Sequence, residues 1–234
     1  MKNQFKITGV VLGLALSLGQ MVLAQENSTE QLKYFKDLPQ AGSLDGHADE
    51  GLSFFQRRAA EGHAKTFSLN SPSEASGVQR GQPILHYFVR LDELRAYQSG
   101  QDPKSLLGKV TLVTYPLVSG SDIKGAVNLG WDGSSWKLVS VGGPAFMLKW
   151  DNLRRGQSSK NGKNLEEFFA VRVPALDEDF VGYYDEQSAL FLVPGRNNPI
   201  LGWQAGEALP AQEVFTKLAG VAQNYHDKPY FQHK

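Results

Sequence analysis

Histidine and carboxylate side chains provide the acid–base chemistry that this sequence could support. His86 lies in the aromatic segment PILHYFVRL. The acidic run at residues 177–186 contains Asp177, Glu178, Asp179, Asp185 and Glu186. Because a histidine beside a carboxylate can act as a general base, one candidate activity is a cofactor-independent hydrolase. The alternative is a hydrogen-bonded, half-buried histidine and a solvated acidic rim, since neighbouring acids in a turn seldom point to a common centre.

Several other catalytic classes are disfavoured. The chain has no cysteine, which excludes a thiol nucleophile and thiolate metal ligands. It has no Gly-x-Ser-x-Gly segment, and Ser134, Ser135 and Ser140 lie in or beside a predicted hairpin, where serine is ordinary turn chemistry. None of the five histidines shows the i, i+4 spacing of a helical zinc pair, and the acidic run lacks calcium-loop spacing. We predict no metal and no cofactor.

Aromatic residues and a glycine pair are the candidates for ligand contact. Trp131, at a predicted hairpin tip, is the tryptophan that we expect to be most exposed, and such a residue can stack on a sugar or anchor a partner. Backbone amides at Gly142-Gly143, before a predicted helix, could hold an anion, although a tight turn explains the pair as well. The candidate binding residues are Trp131, Trp136, Tyr115, Trp203, Gly142 and Gly143, with core packing as the alternative for the other tryptophans.

The hairpin that contains Trp131 is the clearest structural signal. Apolar residues alternate from Ile123 to Trp131, which is the period of a half-buried strand. Asp132-Gly133 then marks a turn, and a second strand follows from Trp136. A loop of two or four residues places Trp136 on the same face as Leu129, whereas a loop of three residues places it on the other face.

Further strands and three helices complete the predicted fold. Strands are expected at residues 83–91, 110–118 and 168–173, and a second hairpin at 180–193. Helices are expected at 51–64, 144–155 and 210–222, with Gly156 ending the second and a polar loop following it. The pattern predicts an α+β fold with an antiparallel or mixed sheet of six to eight strands and three helices covering one face.

The N-terminal 24 residues have the features of a secretory signal peptide. Lys2 and Lys6 precede an apolar stretch at residues 7–18, and small residues around Ala24 predict cleavage before Gln25. A membrane anchor is the alternative, but the apolar stretch is short. We therefore predict a signal peptide at 1–24, an arm at 25–50 and one α+β domain at 51–234, located in the periplasm or secreted.

The net charge and the length of the chain limit the classes of partner that it can bind. Removal of the first 24 of 234 residues leaves 210 residues, with 22 basic and 24 acidic side chains and a net charge of −2. This balance predicts no nucleic-acid partner and no attraction to an anionic membrane surface. No second long apolar segment exists, so we predict no transmembrane segment after cleavage. A chain of this size can bury a full core without disulfides.

Residues 81–143 carry a series of features in a distinctive order. These are Gly81-Gln82-Pro83 before a strand, an acidic-leucine turn from Leu91 to Tyr97, Tyr115-Pro116, and WKLVSVGG from Trp136 to Gly143. In this order they resemble a group of uncharacterised secreted bacterial proteins. The resemblance covers about a third of the mature chain. It implies a secreted location and an α+β fold, and it implies no activity.

These observations favour a non-enzymatic binding or interaction module, with a protein partner or a small ligand in the envelope. The absence of a catalytic constellation and the aromatic hairpin support this hypothesis. The hydrolase using His86 and a nearby carboxylate is the main alternative. A virulence or envelope-assembly factor that acts through protein contacts is a third possibility, which the sequence does not separate from the first.

Overall fold

The computed structural model describes residue 35 and residues 37–225. The chain divides into two compact units, Met1–Ala41 and Gly42–Lys234. Within the first unit, the Leu38 amide donates a hydrogen bond to the Phe35 carbonyl at 2.8 Å. The predicted signal peptide lies outside the described residues. The second unit contains the sheet and the helices described below.

The second unit is built on one mixed sheet, with nine strands in its described part. The strands are β1 (Gln79–Arg80), β2 (Ile84–Phe88), β3 (Leu112–Ser119), β4 (Asp122–Trp131), β5 (Trp136–Gly142), β6 (Phe169–Val173), β7 (Glu178–Tyr184), β8 (Leu190–Pro194) and β9 (Leu209–Pro210). Their order is β5-β4-β3-β2-β6-β7-β8-β9, with β1 paired to β3. The α+β class is confirmed. The nine strands exceed the six to eight that were expected. Strands β1 and β9 have only two residues each, which is too few to show alternation in the sequence.

The sheet consists of two antiparallel halves joined at its centre by one parallel pair. Strands β1 to β5 form the first half, and β6 to β9 form the second. The parallel pair is β2 with β6, in which His86 lies opposite Ala170. Beyond the ladder, the Val89 amide donates to the Arg172 carbonyl at 2.8 Å. No short turn links these strands, so their pairing depends on tertiary packing.

The predicted hairpin between β4 and β5 is confirmed, with the four-residue form of its loop. Trp131 lies opposite Trp136, and Leu129 lies opposite Leu138. Asp132 shapes the loop, because its carboxylate accepts hydrogen bonds from the Ser134 and Ser135 amides, each at 2.9 Å. A register shift between Asn128 and Leu129 then changes the pairing toward the end of β5.

Four α-helices lie in the described part of the chain. They are α1 (Leu44–Arg58), α2 (Leu91–Ala96), α3 (Ala145–Asn161) and α4 (Ala211–Asn224). Helix α1 begins at Leu44, so residues 44–50 of the predicted arm are helical. Its buried stripe includes Ala48 and Gly51, whose small side chains give little hydrophobic signal in the sequence. After α1, Gly62 has a φ of 99°, which ends the helical path.

Helix α3 is longer than predicted, because Gly156 does not end it. Gly156 is exposed within the helix, where glycine costs about 1 kcal/mol relative to alanine. The helix ends at Asn161, and Gly162 adopts a left-handed conformation with φ of 66°. Its amide donates to the Ser158 carbonyl at 2.9 Å, as expected for a glycine after a helix. The predicted loop at residues 156–164 is therefore mostly helix.

The expectation that all helices cover one face of the sheet is wrong. Ala170 of β6 packs in a core with Trp150 of α3, whereas the next residue, Val171, packs in a core with Phe215 of α4. Because neighbouring side chains of a strand point to opposite faces, α3 and α4 lie on opposite sides. Side chains on both faces of β6 are buried, so each face of the sheet must be covered by a helix.

Helix α1 lies on the same face as α4. It approaches β4 at Gly51, where an added Cβ would lie 2.5 Å from Val127. The register from β4 through β3 to β2 places Val127 on the face of Leu85, which packs against the α4 core. Among the described residues, no helix has the length and apolarity needed to cross a membrane.

Candidate functional site

A pocket of about 360 Å³ opens at the end of the sheet where β7 begins. Its walls come from three places that are distant in the sequence. The 3₁₀ turn Pro174–Leu176 and the following Asp177 and Glu178 form one side. Asn198, Ile200 and Leu201 come from the loop between β8 and β9, and Leu218, Val221 and Tyr225 come from α4 and its end. The volume lies in the range of pockets that bind small molecules.

Glu178 is the buried polar residue of this pocket. It shares the inward face of β7 with Phe180, and its side chain is only 4% exposed. One carboxylate oxygen, Oε1, accepts hydrogen bonds from Asn198 Nδ2 at 2.8 Å and from Arg196 at 3.3 Å. The other oxygen, Oε2, is buried without a hydrogen-bond partner in the described part of the chain. A buried acceptor of this kind is costly unless a donor reaches it.

Arg196 links the two acidic residues of the pocket but pairs mainly with the outer one. Its guanidinium lies 2.6 Å from the Asp177 carboxylate and 3.3 Å from that of Glu178. It also donates to the Asp177 carbonyl oxygen. The hydrogen bond to Asp177 raises the pKa of Arg196 above its usual value. Asp177 is 83% exposed, so the strongest contact of Arg196 is with a hydrated carboxylate and not with the buried one.

Trp203 stabilises the loop that contains Asn198. The Asn198 amide donates to the Trp203 carbonyl at 3.0 Å, and the Trp203 amide donates back at 3.2 Å. The indole is buried edge-to-face against Phe180, with ring centroids 5.6 Å apart. Trp203 was a candidate for ligand contact, with core packing as the alternative; in the structure it is buried, and its backbone pairs with that of Asn198. Its indole nitrogen has no hydrogen-bond partner within the described residues.

The rim of the pocket is apolar and solvent-exposed. Ile200 is 93% exposed, which is unusual for a large aliphatic residue beside a pocket. Leu218 is fully buried, and Val221 and Tyr225 are half-buried. The lining includes two carboxylates and no basic side chain. This arrangement can bind a ligand that combines an apolar body with a hydrogen-bond donor.

His86 lies on β2 outside this pocket. It is 1% exposed, and its Nε2 is 2.9 Å from the Thr114 hydroxyl. Burial, with a smaller contribution from the charge of Arg172, lowers the pKa of His86 to about 3. Within the described residues, no hydrogen bond or ion pair joins His86 to an acidic side chain. The geometry therefore provides no carboxylate partner of the kind that the hydrolase hypothesis requires.

Thr114 begins a polar track that leads from His86 across the first half of the sheet. The Thr114 hydroxyl donates to Asn128 Oδ1 at 2.6 Å, and Asn128 Nδ2 donates to the Ser140 hydroxyl at 2.9 Å. The track crosses β2, β3, β4 and β5 and ends at the exposed Ser140. These hydrogen bonds join side chains of four neighbouring strands on one face of the sheet.

The other predicted binding residues do not meet at one place. Trp131 is half-buried and is the most exposed of the four tryptophans, with its ring 5.5 Å from that of the buried Trp136. Tyr115 is buried on β3, and its hydroxyl lies 3.4 Å from the carboxylate of Asp45 in α1. Trp131, Trp136 and Tyr115 lie in the first half of the sheet, whereas Trp203 lies in the loop between β8 and β9.

The predicted glycine pair marks the passage from β5 into α3. Gly142 is the last residue of β5 and lies opposite Ala126, and Gly143 is exposed. Pro144 then precedes the first residue of α3 and its carbonyl accepts from the Leu148 amide at 2.9 Å. Proline has no amide hydrogen, so the helix start has one donor fewer for an anion.

Sequence reasoning missed the role of Glu178 within the acidic run. The run divides in the structure: Asp179 pairs with Arg172 at 2.9 Å, and Asp185 accepts turn amides. Counting by twos from the buried Phe180 would have placed Glu178 on the inward face. No local sequence pattern indicates that Asn198 and Val221 line the pocket, because tertiary contacts bring them there.

A metal centre is not formed by the described residues, where no three His, Asp or Glu side chains lie close enough to hold an ion. The pocket contains two carboxylates, one of them held by a guanidinium at 2.6 Å.

Comparisons of the chain with protein families, with curated proteins and with solved structures find no match.

Proposed function

We propose that this protein is a periplasmic or secreted binding module that takes a small ligand into the pocket at Glu178. The ligand presents a hydrogen-bond donor to the carboxylate and an apolar body to the walls. The signal-peptide features of the first 24 residues support the location. The volume and the mixed lining of the pocket support the class of ligand.

One observation carries this proposal. Glu178 Oε2 is buried beside a pocket and has no hydrogen-bond partner among the residues described. An isolated buried acceptor destabilises a fold by about 1–3 kcal/mol, and more when it is charged. Less than 1 Å² of this oxygen is accessible, so we propose that the Glu178 side chain turns toward the pocket when a ligand brings a donor to it.

The test uses the mature chain, Gln25 to Lys234, with 1-hexanol as a neutral probe. We expect a titration followed by amide NMR to shift the amides of residues 175–178, 198, 200–201 and 218–225 together. Val221→Trp should fill the pocket and abolish these shifts. Gln223→Trp, an equal substitution at an exposed position of the same helix, should retain them. Absence of binding to the wild-type chain, or shifts confined to the Trp131 hairpin, would contradict the proposed site.

The proposed location has a separate test. We expect protein purified from fractionated cells to begin at Gln25 and to leave the cells in the periplasmic or culture fraction. N-terminal sequencing measures this directly. A chain that retains residues 1–24 and sediments with membranes would support the anchor alternative instead.

A further inference from the structure

We propose that the ligand of this pocket is a cationic amine carried on an apolar chain. The inference rests on the proposed function and identifies the chemical class of its ligand. It starts from charge. The pocket lining contains Asp177 and Glu178 and no basic residue, and Arg196 is the cation paired with both in the described structure. Two carboxylates and one guanidinium leave one negative charge uncompensated.

The uncompensated charge lies at Glu178. Arg196 is closer to Asp177, at 2.6 Å, than to Glu178, at 3.3 Å. Asp177 is also hydrated, because it is 83% exposed, whereas the Glu178 side chain is 4% exposed. A buried carboxylate that is only partly paired favours a cation beside it over any neutral donor. An ammonium group supplies both the charge and the N–H donor that Oε2 lacks.

The body of the ligand must be apolar. Beyond Glu178, the pocket presents Leu176, Leu218 and Val221, and Ile200 stands exposed at its rim. A strongly hydrated dication or a sugar would leave these surfaces in contact with water. Burial of each additional CH₂ group strengthens binding about four-fold. We therefore expect affinity to rise by up to about fifteen-fold from butylamine to hexylamine.

The same chemistry has two sources. A free amine and a lysine side chain of a partner protein both place an ammonium group at the end of an apolar stem. The experiment therefore includes hexylamine for the first source and Nα-acetyl-lysine methylamide for the second. Binding of either with the dependence on Glu178 given below supports the inference, and their relative affinities identify the source.

The first measurement compares three probes of equal chain length by calorimetry at pH 7 with the mature chain. Hexylamine carries a positive charge, 1-hexanol is neutral and hexanoate is negative. We expect hexylamine to bind about ten-fold more tightly than 1-hexanol, because hydrogen bonds between charged groups are stronger than neutral ones. Hexanoate should bind most weakly, since it meets a like charge.

Variants then assign the selectivity to one residue. Glu178→Gln keeps an acceptor for Asn198 and should weaken hexylamine binding about ten-fold while changing 1-hexanol binding less than three-fold. Glu213→Gln makes the same chemical change at an exposed position of α4 outside the pocket and should change neither. Arg196→Ala removes a competing cation and should strengthen hexylamine binding. Thermal unfolding of each variant checks that it is folded.

The outcomes separate this inference from the proposed function. If 1-hexanol or hexanoate binds as tightly as hexylamine, the cationic class is overturned while the pocket remains a binding site. Retention of the hexylamine preference in Glu178→Gln would also overturn it. If none of the three probes binds the wild-type chain, both the class and the proposed function fail.

Discussion

Glu178 and His86 are two buried titratable residues, each with one polar atom that has no hydrogen-bond partner in the described structure. Their surroundings differ. The His86 ring packs near Phe88 and Trp150, with centroids 6.4 and 6.1 Å away, and burial keeps the ring neutral. Glu178 is held by a guanidinium beside a pocket. A neutral histidine costs little when one nitrogen is unpaired, whereas a carboxylate costs more. This difference favours Glu178 as the functional residue.

His86 should make the protein sensitive to acid. Its pKa in the folded chain is about 3, against an ordinary value of 6.5, so the unfolded chain binds a proton first as the pH falls. The free energy of unfolding contributed by His86 should therefore decrease between pH 6.5 and 3, by about 2 kcal/mol from pH 7 to pH 5. Urea denaturation at both pH values measures it. His86→Gln should reduce the difference, and His63→Gln, at an exposed position, should not. Equal pH dependence in all three chains would refute the assignment.

The ion pair between Asp151 and Arg154 is the second residue-scale feature that we expect to matter for stability. Both side chains are almost fully buried, at 3% and 2% exposure, and are 2.8 Å apart. Asp151→Asn would leave Arg154 buried without its counter-charge, which should lower the free energy of unfolding by about 3–5 kcal/mol. Glu213→Gln breaks an exposed pair with Lys217 and should cost less than about 1 kcal/mol. Equal losses in urea denaturation would contradict the role of burial.

At the scale of elements, small residues explain where sequence reasoning succeeded and where it did not. The turn at Asp132-Gly133 and the alternation of β4 predicted the hairpin, because turn chemistry and strand period are local. The start of α1 was predicted seven residues late, because the small residues Ala48 and Gly51 of its buried stripe give little hydrophobic signal. At Gly156 the error was the reverse: the sequence predicts that the helix ends at this glycine, whereas α3 continues through it to Asn161.

Two glycines in α1 should respond oppositely to the same substitution. An added Cβ at Gly46 meets nothing within 4 Å, so Gly46→Ala should stabilise the protein by about 0.5–1 kcal/mol through helix propensity. At Gly51 it would lie 2.5 Å from Val127, so Gly51→Ala should destabilise the protein by about 1–3 kcal/mol through overpacking. Urea denaturation of the two single variants measures both signs. Stabilisation by Gly51→Ala would mean that α1 is not packed against β4 in solution.

At the scale of the whole molecule, the mixed α+β sheet was predictable and the candidate site was not. Alternating and continuous apolar runs identified most strands, and the structure buries successive residues of β3 on both faces. The pocket brings together residues near positions 176, 198 and 221, and no local pattern relates them. The pairing of β2 with β6 could not be predicted from local patterns either, because loop closure and core packing determine it.

Hydrogen exchange should report this organisation in the free protein. Strands β6 and β7 lie inside the sheet and are covered on both faces, so their amides should exchange most slowly. Strand β5 is an edge, with four of its seven residues exposed, and should exchange faster. Hexylamine should then slow exchange at the amides of residues 175–178, 198, 200–201 and 218–225 without affecting β5. Protection of β5 equal to that of β7 in the free protein would mean that another chain covers this edge, and the binding surface would then have to be sought at the hairpin.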